Sequence, residues 1–408
     1  MLQEHRREVL EMSEMIYRQW FALLSGAVSP SKQKGLLERF GSAKQVFDCS
    51  EKALMACSFL KDKDVMEISA SRKRGLPLSQ AEEWKKQGIG FVCLEEDSYP
   101  GRVRETSGAP YALWYKGELP ADDIPTVGII GARNCSDYGR RSAAYFGAEM
   151  AKAGVNVISG MAVGIDGISQ SACIDNGGKS YGCLGSGPDV IYPRANIELY
   201  QNLIKHGGVV SEFYPGTESK ASNFPMRNRI ISAFSDILLV IEAREKSGTF
   251  ITVGYALEQG RDVYALPGRI DDALSAGCNR LIRDGAGIAS CADDIIFELN
   301  GMIQAHRKHI STDGLSMAER MAEEKKMKKR EKTKPEIPEC EDPLDTELLR
   351  LLSEHEYEPE MILERIKQGQ GEHASTAKDL TLQALMGHLI NLQMEDRISN
   401  RGNMYFLI

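Results

Sequence analysis

The sequence predicts an α/β fold built on an extended Rossmann-like, doubly wound parallel sheet, and two observations support this. Between Thr126 and Gly268, short apolar runs end in glycine or a small polar residue, and segments of helical length separate them. Continuously apolar runs are typical of strands buried on both faces, and strands that alternate with helices form parallel sheets. The runs begin at Thr126, Asn156, Tyr181, Val209, Ile237 and Val263.

The crevice of such a sheet lies outside the carboxyl ends of its strands, where each strand passes through a loop into a helix. Small residues collect at these positions, so the loops would present backbone N–H groups and helix N-termini to an anion. We therefore expect a phosphate-binding rim formed by Gly131, Ser159, Gly160, Gly164, Gly185, Gly187, Ser247, Gly248 and Thr249.

Two common phosphate motifs do not match this rim. The first turn, from Gly128 to Gly131, lacks the full dinucleotide fingerprint, and no acidic residue follows the second strand to bind a ribose. The segment from Gly178 to Ser180 resembles the end of a P-loop, but Cys173 stands where the first glycine is needed. Neither NAD nor ATP is predicted, and no cofactor is expected.

A third comparison is with Rossmann-like nucleotide phosphoribohydrolases, in which a glycine-rich loop precedes a catalytic glutamate. Here the loop from Lys246 to Thr249 is followed by Ile251 at the position of that glutamate. The loop is suited to binding but lacks the acid that general acid–base catalysis needs. We predict no catalytic residue, and a hydrolase of this class is the alternative hypothesis because Glu212 and Glu242 lie near strand ends.

Composition is that of a soluble globular protein with two or three domains. The 408 residues are 42% hydrophobic and 26% charged, and no apolar run approaches the ~20 residues of a membrane span. The charged start, with Glu4 and Arg6, argues against a signal peptide, so we expect a cytoplasmic protein without membrane contact. The nine cysteines lack metal-ligand spacing, and we predict neither a metal site nor a disulfide.

Four segments follow from the order of these patterns. Residues 1–87 are predicted to form a helical domain like a sterile-alpha-motif or helix-hairpin-helix module. Residues 88–303 are predicted to form the Rossmann-like domain, with lead-in strands over 88–125. Residues 304–342 form a lysine-rich linker, and residues 343–408 give three helices and a hairpin, typical of a winged helix. The third of these helices carries almost no Arg or Lys, which favours protein contact or autoregulation over base recognition.

The motifs of the central sheet closely resemble those of the DNA-processing protein A (DprA/Smf) family. They include Gly131-x-Arg133, Ser159-Gly-Met-Ala-Val-Gly-Ile-Asp166, Gly185-Ser-Gly-Pro-Asp-Val-Ile-Tyr-Pro193, Phe224-Pro-Met-Arg-Asn-Arg-Ile-Ile231 and Ser247-Gly-Thr249. The resemblance implies a non-enzymatic protein that binds and protects incoming single-stranded DNA and forms a homodimer through the Rossmann domain. It also implies that the protein loads RecA recombinase during natural transformation or homologous recombination.

Two positions depart from the pattern of that family. Ser169-Gln170 replace an Ala-His pair, and Val163 stands where a basic residue is often found. Both changes predict weaker contacts with the DNA backbone. Leu281, Ile282 and Ile288, three apolar residues late in the Rossmann domain, are the candidate residues of the dimer surface.

The candidate site combines cations with one aromatic ring, as sequence-independent strand binding requires. The planar fork of Arg133 would bind a phosphate bidentately, and Phe224, beside a turn at Pro225, would stack on a base. Asp166 is interpreted as a cap that orders a glycine loop. Asn223 and the cations Arg194, Lys220, Arg227 and Arg229 complete the predicted set. For Arg227 and Arg229, internal pairing with Asp236 or Glu242 is the competing interpretation.

Overall fold

The structure is a computed structural model that describes residues 14–303, 342–352, 357, 359–368, 380–395, 397–401 and 404–407. The described residues fall into two compact units, one on each side of residue 311. Nearly all of the predicted linker, residues 304–342, lies outside the described residues.

The first unit begins with helices whose ends follow from local capping. The Ser42 and Ser50 side chains accept hydrogen bonds from the backbone N–H groups of Gln45 and Ala53, so two helices begin there. Residues 14–22 are helical and precede a 3-10 turn at Leu23–Gly26. The next helices are α1 (Pro30–Phe40), α2 (Ala43–Asp48), α3 (Glu51–Met55), α4 (Asp62–Arg74) and α5 (Leu78–Lys86).

These helices share a core with the first two strands, β1 (Gly90–Cys93) and β2 (Ala112–Gly117). Trp20 and Trp114 are fully buried in that core, and the Trp114 ring packs edge-on against Trp84 with centroids 4.8 Å apart. The predicted boundary after residue 87 therefore falls inside one compact unit, because the helices cover the apolar face of the strands that follow.

A nine-stranded sheet forms the centre of the unit, with the strand order β1-β2-β6-β5-β4-β3-β7-β8-β9. Strands β3 to β9 are parallel, whereas β1 pairs with β2 and β2 with β6 in the antiparallel sense. The sheet is thus mixed: the predicted parallel sheet is found in β3 to β9, and the lead-in strands add an antiparallel edge. The remaining strands are β3 (Thr126–Ile130), β4 (Asn156–Ser159), β5 (Ser180–Cys183), β6 (Gly207–Ser211), β7 (Ile237–Val240), β8 (Asp262–Ala265) and β9 (Gly287–Ile288).

Helices cover both faces of the sheet, as the doubly wound prediction requires. Successive residues of a strand enter different cores: Ile129 and Leu239 pack on one face, and Ile130 and Val240 on the other. The helices are α6 (Gly101–Arg104), α7 (Asp137–Ala153), α8 (Ile165–Asp175), α9 (Ile197–Lys205), α10 (Asn223–Phe234), α11 (Thr249–Glu258), α12 (Ala276–Arg283) and α13 (Ala292–Glu298).

The three residues predicted for the dimer surface differ in exposure. Leu281 is buried in the core and Ile282 packs against it, so neither is a free surface residue. Ile288 lies in β9, the edge strand, and its side chain is 51% exposed. The prediction for Leu281 was wrong because the sequence alone does not show whether an apolar residue lies in the core or on the surface.

The second unit contains three helices and a hairpin in the predicted order. The helices are α14 (Pro343–Leu352), α15 (Pro359–Gln368) and α16 (Leu382–Met394), and the hairpin pairs β10 (Ile398–Arg401) with β11 (Met404–Leu407). The His388 Nδ1 atom lies 2.8 Å from Asp345 Oδ1, which ties α16 to α14. The assignment of the second unit as a winged helix stays a prediction.

Across the described parts of both units, no helix combines the length and apolar character that a bilayer crossing requires.

Candidate nucleic-acid interface

A cavity of about 600 Å³ in the first unit opens at the carboxyl edge of the sheet. Strand β3 continues to β4 on one side and neighbours β7 on the other, so the strand order reverses there. Ligands of open α/β sheets bind at such reversal points. The lining comes from the loops after β3, β4 and β7 and from α10, and includes Gly131, Ala132, Arg133, Ala162, Asp166, Phe224, Arg227, Asn228, Ser247, Gly248 and Thr249.

Phe224 lies in the first turn of a helix, not in the turn that the sequence predicted. Helix α10 begins at Asn223, and Pro225 is accommodated because the first N–H groups of a helix have no intrahelical acceptor. The cavity is lined by Phe224, Arg227, Asn228 and Ile231, which are the i, i+3, i+4 and i+7 positions of one helical face. Asn228 was missed because a turn at Phe224-Pro225 gives no helical register for the residues that follow it.

The ring of Phe224 is partly buried and stands among two cations and a second aromatic ring. The Arg133 and Arg227 guanidinium carbons lie 5.5 and 5.9 Å from its centroid, within the range of cation–π interaction. The Tyr192 ring lies 5.5 Å away, tilted by 33°, and is 46% exposed. Tyr192 was missed as a site residue, although an exposed aromatic residue between Pro193 and a glycine loop was a usable signal.

Arg227 is buried and serves the protein backbone. Its Nη1 donates to the carbonyl of Gly160 at 2.8 Å and also to that of Cys183. Burial lowers the pKa of this guanidinium, while Asp166 nearby acts in the opposite sense. The pairing with Asp236 or Glu242 that competed with a DNA role is wrong, because the acceptors are carbonyls at the ends of β4 and β5.

Arg229 lies two residues further along α10 and is bound to Glu212, a pairing that the sequence did not predict. Both side chains are largely buried, and burial raises the pKa of the Glu212 carboxyl. Arg229 does not line the cavity. Its prediction as a DNA-binding residue is therefore corrected: it pairs inside the protein, as the competing interpretation held, but with Glu212.

The donors predicted at Ser159 and Gly160 are used inside the protein. The Ser159 hydroxyl is fully buried and donates to the Ile129 carbonyl at 2.6 Å. The Gly160 N–H donates to Asp166 Oδ2 at 3.1 Å, so Asp166 does order the glycine loop, and burial raises the pKa of that carboxyl. These groups were predicted to bind phosphate, but strand ends inside a sheet are surrounded by other backbone.

Gly164 is the N-cap residue of helix α8 and has a φ of +84°, a conformation that residues with a Cβ rarely adopt. A Cβ there would lie 2.4 Å from the carbonyl oxygens of Ala132 and Arg133. Gly164 therefore allows the loop after β4 to approach the loop that carries Arg133. Gly164 thereby helps to position Arg133.

The Gln170 side chain stabilises an unusual backbone conformation at Met161, in the same loop. Met161 has a φ of 54°, the one positive value among the non-glycine residues that the structure describes. The Met161 N–H donates to Gln170 Oε1 at 3.1 Å, and Gln170 Nε2 donates to the Tyr181 carbonyl at 2.8 Å. Because Gln170 and Ser169 are fully buried, position 170 is not a surface contact. The Ser169-Gln170 pair therefore belongs to the interior of the protein.

The remaining predicted residues divide between the interior and the rim. Gly185 and Gly187 are buried, and a Cβ at Gly185 would lie 2.9 Å from the Phe224 ring. Asn223 is also buried and donates to the Gly185 carbonyl at 2.9 Å. Arg194 and Lys220 are exposed but do not line the cavity. Position 185 thus provides space for the aromatic ring.

The loop before α11 lines the cavity. The Thr249 N–H donates to the Ser247 Oγ at 3.2 Å, and the two hydroxyl oxygens lie 2.9 Å apart. The exposed Gly248 and the start of α11 place the positive end of a helix dipole at the cavity wall. Together with Arg133, which is exposed and forms no ion pair with the described residues, this wall favours an anion.

Neither glutamate near a strand end is available as a hydrolytic acid, and Asp166, the carboxylate at the cavity, accepts the hydrogen bond of the Gly160 N–H. Glu242 is fully buried and accepts hydrogen bonds from the N–H and hydroxyl of Ser136, while Glu212 is paired with Arg229. Ile251 borders the cavity at the position of the glutamate in the phosphoribohydrolase loop motif. The chemistry that these groups support is therefore binding through stacking and phosphate contacts.

The comparisons with known proteins agree with this chemistry. Residues 90–300 match the DNA recombination-mediator protein A family. The DNA processing protein DprA of Streptococcus pneumoniae is 39% identical over 246 residues, which are 58% of this chain and 86% of that one. The DNA processing protein DprA of Bacillus subtilis is 37% identical over 217 residues, or 53% and 73% of the two chains.

A solved structure extends the similarity to the fold. The X-ray structure of DprA from Streptococcus pneumoniae superposes with a TM-score of 0.61 at 31% identity, covering 69% of this chain and 97% of that one. The chain belongs to the DNA recombination-mediator protein A family. This confirms the resemblance seen in the sequence, and the family is one of DNA-processing proteins rather than enzymes. The hydrolase alternative is therefore wrong.

We predict that Gln170→Leu destabilises the protein by about 1–3 kcal/mol, because the buried Met161 N–H loses its acceptor. Urea denaturation monitored by circular dichroism measures this change. Gln201→Leu, on the exposed face of α9, is the matched control and should leave the free energy of unfolding nearly unchanged. A Gln170→Leu variant as stable as the wild type would show that the Met161 conformation does not depend on this hydrogen bond.

Proposed function

We propose that the cavity and its rim bind single-stranded DNA without regard to base sequence. The observation that supports this most directly is the Phe224 ring, which lines the cavity beside Tyr192 and beneath the exposed Arg133. A base stacks on an aromatic face whatever its identity, and a guanidinium binds the neighbouring phosphate. The start of α11 at the opposite wall offers a second anion contact.

We further propose that the chain protects the bound strand and delivers it to RecA recombinase in natural transformation or homologous recombination, within the cytoplasm. The family description as a recombination mediator supports this. With the chain present, RecA should assemble faster on strands coated by a single-strand-binding protein, and Arg133→Ala should abolish the gain. Equal rates with and without the chain would contradict recombinase loading while leaving strand binding unaffected.

A homodimer through the Rossmann-like domain is part of the proposal. The two-residue edge strand β9 carries the exposed Ile288, so unpaired backbone and an apolar side chain lie together. Two cavities in one particle would raise the avidity for a long strand. Light scattering that finds only monomer at micromolar concentration would contradict the dimer.

The second unit is proposed to contact protein, since α16 contains no Lys or Arg.

We predict that Arg133→Ala weakens binding of oligo-dT and lowers the slope of log affinity against log salt by about 0.7, the value of one phosphate contact on a single strand. Fluorescence anisotropy at several salt concentrations gives both quantities. Arg133→Lys should recover the slope more fully than the affinity, because its charge remains while the planar fork is lost.

The control for Arg133 is Arg283→Ala, which removes an exposed arginine of α12 away from the cavity. It should leave both the affinity and the salt slope at wild-type values. If Arg133→Ala behaves as Arg283→Ala does, Arg133 does not bind the strand.

We predict that Phe224→Ala costs about 1–3 kcal/mol of binding free energy for single strands, the usual value of base stacking. Phe224→Tyr or Phe224→Trp should cost little, since either ring retains a face for stacking. Duplex DNA should be less affected, because its bases already stack on each other. Affinity and melting temperature are measured on the same samples, since loss of a partly buried ring also destabilises the fold.

Phe250→Ala is the matched control for Phe224. Phe250 is also partly buried under a guanidinium, that of Arg280 at 5.6 Å, but it does not line the cavity. It should lower the melting temperature without weakening strand binding by the folded protein. If both alanine variants lose binding in proportion to stability alone, Phe224 is a core residue and does not stack on DNA.

A further inference from the structure

We infer that the bound strand continues from the cavity over Val163 into a groove between helices α7 and α8, where Arg140 binds a further phosphate. The inference rests on the proposed binding of single-stranded DNA. It adds a second, separate subsite to that function, used only by strands longer than the cavity holds.

The first argument is that the cavity and the groove are continuous. A smaller depression of about 70 Å³ adjoins the cavity and shares Arg133, Ala162, Tyr192, Phe224 and Arg227 with it. Val163, 39% exposed, lines both this depression and the groove. Val163 is therefore the residue at which the depression and the groove meet, and a chain that leaves the Phe224 ring would pass over it into the groove.

The groove itself has a volume of about 410 Å³, and small residues create it. Gly164 lies against the backbone of Arg133, and a Cβ at Gly167 would lie 3.1 Å from the Asn196 amide nitrogen. Ala144 and Ala172 line the walls on α7 and α8. Larger side chains at these positions would fill the space that a sugar-phosphate chain needs.

The two ends of the groove carry opposite charges, Arg140 at one end and Asp175 at the other. Both helices start at the carboxyl edge of the sheet, so Arg140, in the first turn of α7, lies at the end next to the cavity. Asp175, the last residue of α8, lies at the far end and would repel a phosphate. The strand therefore occupies the half of the groove near Arg140 and leaves before Asp175.

Arg140 is available for a new partner. Its side chain is 59% exposed, and its contact with Asp137 is 4.0 Å long with the carboxylate 90% exposed. Exposed pairs of this kind contribute little to stability, so exchange for a phosphate is favourable. The positive end of α8, which begins at Gly164, adds to the attraction.

The experiment compares oligo-dT of about 4 and about 16 nucleotides, the range of single-strand site sizes known for small binding modules. For the longer strand, Arg140→Ala should remove one phosphate contact, so the loss of affinity between 50 and 200 mM salt becomes about 2.6-fold smaller. For the shorter strand, which occupies the cavity alone, the variant should match the wild type.

Arg141→Ala is the control, because Arg141 is exposed on the same helix but does not line the groove. It should match the wild type on both strands, and melting temperatures confirm that both variants fold. The inference is overturned if Arg140→Ala matches the wild type on the longer strand, or if it weakens both strands equally. Failure of the proposed function is distinguishable, because then Arg133→Ala would not weaken the shorter strand.

Discussion

A buried guanidinium holds the carboxyl edge of the sheet together, and the candidate site depends on it. Arg227 donates to the carbonyls of Gly160 and Cys183, which follow or end the adjacent strands β4 and β5. A buried charge is tolerated only when its donors are satisfied, and here strand ends supply the acceptors. Because the same side chain lies 5.9 Å from the Phe224 ring, the contact that fixes the strand ends also supports the aromatic surface.

From that contact the site divides into a rigid floor and an exposed rim. Asp166, Gln170 and Ser159 are buried, and each bonds backbone around the glycine loop. They position the residues that remain free to bind, which are the exposed Arg133 and the Tyr192 ring above Phe224. Binding residues that buried neighbours already hold in place lose less conformational entropy when a ligand binds. A site that binds any base needs this rigidity, since no base-specific hydrogen bond orients the strand.

The sequence predicted the parallel strands, the helices between them and the position of the cavity, because buried apolar runs and small residues at strand ends have clear patterns. It did not predict the antiparallel edge, since a short strand such as β2 carries no signal of its direction. The sequence also assigned Arg227 and Arg229 to DNA binding, whereas both form hydrogen bonds within the protein. Arg227 and Arg229 are alike in sequence, but two residues on a helix turn the side chain by about 200°, so they bind different partners.

The central claim is that a single strand lies on the Phe224 and Tyr192 rings at the carboxyl edge of the sheet. Photocrosslinking of an oligonucleotide that carries 5-iodouracil, followed by mass spectrometry of the crosslinked peptides, tests it most directly. We expect crosslinks at Tyr192 and Phe224, lost when excess unlabelled oligo-dT is added. Crosslinks confined to the helices before β1 or to residues 342–407 would contradict the account, because the strand would then bind elsewhere.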